Sequence, residues 1–246
     1  MMRQVQKVFL TLFMLTLLGA CSGDDSTTIN IEQQPPSDGG GDSGGGASGG
    51  GDSGGGETPA TCPEGTTEVS AGLCERPATI SSDMTLSSGV DYLMTGRVTV
   101  GNGNGQLETN GDGTLDDGSA VQAATLSIEA GVDVFGETGT FANLLITRGS
   151  KIMAMGTADA PIVFSSDDTG YDGSGEWGGL IIHGYAPHNE CAVGGSYCDI
   201  DSEGESGFAG GYDPDDSSGV LRYVVVAEGG YEFSTGNEIN GISLVG

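Results

Sequence analysis

The sequence predicts an all-β chain wound as a parallel β-helix, and three observations carry that prediction. Short runs of Val, Ile and Leu bounded by Gly, Asp and Asn recur along the second half, while long helix-forming stretches at 3.6 spacing are absent. Apolar residues inside the runs step by two, as Leu126 and Ile128 or Val132 and Val134 do, which is the alternation of a strand with one buried face. The segment "TLSIEAGVDVFG" (125–136) superposes on "NLLITRGSKIMA" (143–154) at a shift of 18 residues, and the same shift carries Ile146 to Phe164 and then to Ile182. A period that short is below the length of a propeller blade and suits a solenoid, in which each coil stacks its inward residues on those of the next. The expectation is that Ile128, Ile146, Phe164 and Ile182 face one stacked core, and that Thr147 points the other way and tolerates change.

The N-terminus comes first. Arg3 and Lys7 precede an apolar run from Val8 to Leu18, too short to span a bilayer, which needs about 20 residues. A charged start, a short apolar run and small residues make an export signal. Leu18-Gly19-Ala20-Cys21 resembles the lipobox of bacterial lipoproteins. The resemblance implies a signal peptide over 1–20 and lipid on Cys21, hence a membrane partner through the anchor. Ser22 after the cysteine resembles the sorting signal for the outer membrane. Asp24 and Asp25 resemble the acidic tract that sends some lipoproteins to the cell surface of Gram-negative bacteria.

Residues 21–61 read as a lipid-anchored flexible linker. Twelve glycines fall between Gly39 and Gly56, and such a composition buries almost nothing. "GDSGG" occurs there twice, the letters that surround a protease nucleophile, but the repeat supplies neither base nor oxyanion hole. Residues 62–246 remain as one β-helix domain. After Cys21 there are five basic residues against 35 acidic ones, a formal charge of −30. That field repels phosphate backbones, so nucleic acid is excluded as a partner, and it favours divalent cations.

Four further cysteines, Cys62, Cys74, Cys191 and Cys198, stand in two local pairs in an exported chain, which reads as disulfides. Three pairings are possible, and the local one, Cys62 with Cys74 and Cys191 with Cys198, is expected. The competing reading joins His183, His188, Cys191 and Cys198 in a zinc site, at looser spacing than zinc motifs show.

"LLITRGSKIMAMGTADAPIVFSS" (144–166), "GEWGGLIIHGYAP" (175–187) and "SGVLRYVVVAEGGYEF" (218–233) resemble a family of right-handed parallel β-helix, pectin-lyase-like lipoproteins of Gram-negative bacteria. The resemblance covers roughly 120–246 and implies the fold. "NEINGISLVG" ends inside a strand pattern without a capping segment, so further coils are expected beyond Gly246.

Aspartates cluster in three loops, "TNGDGTLDDG" (109–118), "SSDDTGYDGSGE" (165–176) and "GYDPDDSSG" (211–219), where closely spaced carboxylates can supply the oxygen ligands of calcium. The chosen ligands are Asp213, Asp215 and Asp216, presented by the turn at Pro214, and then Asp112 and Asp116, although Leu115 stands where an EF-hand loop has glycine. Glu176 beside Trp177 could form a sugar platform, with ring packing as the plainer reading. Arg148, Lys151 and Arg222 are the basic groups that a lyase could use. The expected function is a lipoprotein whose β-helix binds or adheres, with glycans or other surface proteins as partners and no catalytic signature. The alternative is a polysaccharide lyase or hydrolase whose active site lies partly beyond Gly246.

Overall fold

Alternation gives each strand an inward and an outward face, and coiling brings the inward faces of successive strands together. The structure, a computed structural model, describes residues 61–108, 113–171, 173–195 and 197–246, all within one unit spanning Gly54–Gly246. Cys21 and the linker before Thr61 lie outside the described residues, as does Asp112. A hairpin of β1 (Thr67–Ser70) and β2 (Leu73–Glu75) opens the domain, and β2, β3 (Thr79–Ile80) and β4 (Met84–Leu86) make the first coil. The second holds β5 (Asp91–Met94), β6 (Arg97–Val100) and β7 (Thr125–Ile128). The third holds β8 (Asp133–Gly136), β9 (Asn143–Ile146) and β10 (Lys151–Met155). The fourth runs through β11 (Ile162–Ser166) and β12 (Gly179–His183), makes an excursion with the hairpin β13 (Ile200–Ser202) and β14 (Gly207–Ala209), and returns as β15 (Gly219–Arg222). The last described coil has β16 (Val224–Val226), a small hairpin of β17 (Glu232–Ser234) and β18 (Asn237–Glu238), and β19 (Ile242–Val245).

Three sheets result: sheet A in the order β1-β2-β5-β8-β11-β16, sheet B in the order β19-β12-β9-β6-β3, and sheet C in the order β15-β10-β7-β4. Apart from the β1–β2 hairpin, every pairing in them is parallel. The core is a set of columns. Cys74, Tyr92, Val134, Phe164 and Val226 stack in sheet A. Ile80, Val100, Ile146 and Ile182 stack in sheet B, with Leu244 exposed at the last described coil of that column, and Leu86, Ile128, Ala154 and Leu221 stack in sheet C. The chain is thus all-β and a parallel β-helix, as the sequence predicts.

The 18-residue spacing is not one coil, which corrects the expected register. A coil carries Ile128 to Ala154, Val134 to Phe164 and Ile146 to Ile182. The shift instead moves a residue to another strand around the same solenoid. It lands on buried positions because every strand alternates in phase. Ile128, Ile146, Phe164 and Ile182 are all in the core, but only Ile146 and Ile182 share a column.

Thr147 is a second correction. It does not meet water, being fully buried where the long loop between β6 and β7 folds over the edge of sheet B. Its hydroxyl donates to the carbonyl of Val100 (2.7 Å) and accepts from the N–H of Gly103 (3.0 Å). The outer face of sheet B is also covered over β9 and β12. Leu145 and Ile181 are sealed by Ile239 and Phe233, and the excursion between β12 and β15 lies against the same sheet.

The two disulfides are Cys62–Cys74 and Cys191–Cys198, the local pairing. The first ties the entering chain to β2, inside the N-terminal end of the solenoid. There Arg76 lies over the ring of Tyr92 (5.4 Å to its centroid), and burial lowers its guanidinium pKa to about 10.

Candidate metal centre

Strand β11 ends at Ser166, where the chain leaves sheet A for a long corner loop, residues 167–178, before entering sheet B. The corner loops of neighbouring coils stack on it. Gly139 N–H donates to the Glu176 carbonyl (2.7 Å), Glu176 N–H to the Glu228 carbonyl (2.9 Å), and Tyr231 N–H to the Trp177 carbonyl (3.2 Å). Backbone hydrogen bonds therefore hold three corners in one ladder, and side chains distant in sequence become neighbours.

Trp177 anchors this ladder. Its indole is fully buried and donates through Nε1 to the Ala227 carbonyl (2.7 Å). It lies against Gly136, where any side chain would run into the ring. Trp177 is therefore packing, and a stacking platform for a sugar is not its role.

Asp168, Glu176 and Glu228 converge at the corner, with one oxygen of each within 4.8 Å of the others. Ser166 sits at their centre. Its Oγ lies 2.8 Å from Asp168 Oδ1, 2.7 Å from Glu176 Oε2 and 2.9 Å from Glu228 Oε2, and its backbone N–H donates to Glu228 Oε2 (3.2 Å). A serine hydroxyl has one hydrogen to donate. Three carboxylate oxygens at hydrogen-bonding distance from one hydroxyl oxygen therefore leave two close oxygen–oxygen contacts that a proton or a cation must bridge. Oxygen ligands of this kind, from carboxylates and a hydroxyl, are those that a hard divalent cation such as calcium takes.

Local structure explains the convergence. Glu228 has a φ of 62°, in the left-handed region that a side chain pays roughly 1–2 kcal/mol to occupy. The two backbone hydrogen bonds on either side of it, Ala227 N–H to the Phe164 carbonyl and Glu176 N–H to its own carbonyl, hold it there. Gly173 gives the loop room, since a Cβ at that position would collide with Glu176 Oε1.

The same corners carry aromatic side chains. Tyr171 is 70 % exposed and Phe141 45 % exposed. Phe141 meets Phe233 at 5.5 Å between centroids, and Tyr231 meets Phe233 edge-on at 5.7 Å.

The carboxylates chosen from the sequence lie elsewhere. Asp213 Oδ1 accepts from its own turn, at Asp215 N–H (3.0 Å), and Asp216 Oδ2 accepts from Tyr185 N–H (2.9 Å). Asp116 is exposed on the β6–β7 loop. Among the described residues, the only set of three His, Cys, Asp or Glu ligand atoms gathered this closely is Asp168, Glu176 and Glu228. Two of those stand in the acid-rich loop 165–176 that the sequence singles out. Glu228 was missed, and its one signal is an acid directly before two glycines in "AEGGYEF".

The arginines are engaged. Arg148 is fully buried and ion-paired to Asp199 (2.8 Å), and it donates to the carbonyls of Gly103 and Gly105. Arg97 donates to the carbonyls of Gly204 and Glu205, and Arg222 lies over the ring of Tyr223. Lys151 is exposed at the start of β10.

A family model described as a pectate-lyase-like beta helix domain matches residues 106–246. No curated protein and no solved structure matches the chain.

Proposed function

The chain belongs to the pectate-lyase-like β-helix family, and from that premise we propose that it is a membrane-anchored binding scaffold rather than a catalyst. Cys21 carries the lipid, residues 21–61 tether the domain at the outer membrane facing the cell exterior, and the β-helix presents a calcium-assisted glycan-binding edge. One observation carries the reading of the edge: the stacked A-to-B corners hold both the convergent carboxylates Asp168, Glu176 and Glu228 and the exposed aromatics Tyr171 and Phe141. Asp168, Glu176, Glu228 and the Ser166 hydroxyl would hold the calcium, whose charge would offset theirs and stiffen the loop that bears Tyr171. Aromatic faces then stack on sugar rings, and carboxylate oxygens accept from their hydroxyls.

Cell-surface proteins are the competing partner, and a lyase or hydrolase is the competing activity. The test is a glycan array probed with the mature chain in millimolar calcium and again in chelator. Calcium-dependent glycan binding that Tyr171→Ala weakens supports the reading. Binding that ignores the chelator, or no glycan binding at all, overturns the edge. Release of shortened or unsaturated sugars during the assay would make it an enzyme.

A further inference from the structure

Beneath the excursion between β12 and β15 lies a buried imidazole that the binding edge does not use. His183 ends β12 on the outer face of sheet B and is fully buried. Its Nε2 lies 3.3 Å from Ser206 Oγ, and Ser206 spends its own hydroxyl hydrogen on the Glu203 carbonyl (2.8 Å). Ser206 therefore accepts, His183 donates from Nε2, and the imidazole is the neutral Nε2–H tautomer. Its Nδ1 is buried and has no hydrogen-bond partner. A second proton would have to go there, and of the groups around the ring only the Phe208 backbone favours the charged form, against burial and two arginines.

The charges that act on this ring are both positive. Arg148, from the turn after β9, and Arg97, from β6, both act on His183 electrostatically. The same two arginines hold the excursion closed. Arg97 donates to the carbonyls of Gly204 and Glu205 at the tip of the β13–β14 hairpin. Arg148 pairs with Asp199 (2.8 Å) and donates to the Cys198 (3.4 Å) and Gly210 (3.3 Å) carbonyls. Asp199 is the one acid of the excursion that pairs with an arginine, and its other oxygen is taken by Leu107 N–H (3.0 Å). Asp201, Glu203 and Glu205 of the hairpin are exposed, and of the three only Glu205 reaches an arginine, through its backbone carbonyl and the field of its charge on Arg97. From the turn after β12 comes Tyr185, whose ring lies under the Arg148 guanidinium (5.8 Å), and β19 pairs Val245 with His183.

We propose that His183 is an acid-sensitive latch on this excursion: its protonation puts a further cation beside Arg148 and Arg97, beneath the excursion, and releases it from sheet B. Burial, then Arg148 and Arg97, push its pKa down to about 4. A histidine whose folded pKa is depressed contributes stability that is present above the ordinary value of about 6.5 and is lost as pH falls toward the folded value. The closed excursion is therefore intact at neutral pH and weakens progressively between about pH 6.5 and 4. Over that window the opening equilibrium should rise about a hundredfold.

The test is hydrogen exchange on the full chain from pH 7 to 4, with rates corrected for intrinsic pH dependence, comparing the wild type with His183→Gln. Gln keeps an N–H toward Ser206 and cannot charge. Wild-type amides in 199–210 should lose protection across this window while those of β9 keep it, and the variant should stay flat. Equal loss in both proteins, or none in the wild type, overturns the latch. The chain has two histidines, so an imidazole NMR titration gives a second measurement that needs no variant. The latch requires the Nε2–H form of His183 and a midpoint well below the ordinary one. A Nδ1–H tautomer, or an ordinary midpoint with the excursion unchanged, contradicts it.

Discussion

Single residues separate the inward columns from everything else. Ile146 is fully buried between Val100 and Ile182. Ile146→Asp places a carboxylate there without a partner, so unfolding in urea should show a loss of several kcal/mol. Thr147→Asp should also destabilise, because the threonine hydroxyl both donates and accepts in a closed space. The benign control is Thr85→Asp, on the exposed face of β4, expected within about 0.5 kcal/mol. Arg148 answers a different question at the same scale. Arg148→Met strands a nearly buried Asp199 and should cost about 3–5 kcal/mol, whereas Arg148→Met with Asp199→Leu removes both charges and should recover most of it. A double-mutant cycle by denaturant midpoint checks the pair, and equal losses in the single and double variants would show that packing, not charge, is at stake.

Strands and loops were unequally legible. The alternation in "TLSI" and "IVF" announced strands because a β-helix interior demands period two from each of them. The coil length was not legible from the 18-residue shift, since every strand has the same phase and corners vary freely between them. Leu126 aligns with Leu144 across different sheets as readily as with Ile152 in its own. Local disulfides were readable from spacing alone. The acid-rich loop 165–176 was visible as a candidate, but its third carboxylate comes from a corner one coil later, and no local pattern links Glu228 to Ser166. Thr147 misled because a strand's outward face is exposed only where no loop covers it. Removing the Cys191–Cys198 bond by double Ala substitution should lower stability by about 2–3 kcal/mol, on the loop-closure argument. The loss should concentrate in the excursion, read as faster proteolysis at 186–197 with the strand core unchanged.

The described domain is a stack of apolar columns in a strongly acidic chain, joined to a membrane through Cys21 in the reading proposed above. Cys21→Ser should therefore leave the precursor unprocessed or release a soluble form, and unchanged membrane fractionation would count against the anchor. A formal charge of −30 after Cys21 makes any monovalent salt mildly stabilising through screening, so selectivity is what identifies a site. A cation that binds only the folded state stabilises it by about 2.7 kcal/mol at a hundredfold excess over its dissociation constant. The most direct measurement is thermal unfolding of the mature chain with and without millimolar calcium, against sodium chloride of matched ionic strength, for the wild type, Glu176→Gln and Asp213→Asn. The account predicts a calcium-selective rise in Tm that Glu176→Gln abolishes and Asp213→Asn leaves in place. Equal rises in both salts, or a calcium effect lost with Asp213 and kept without Glu176, would contradict it.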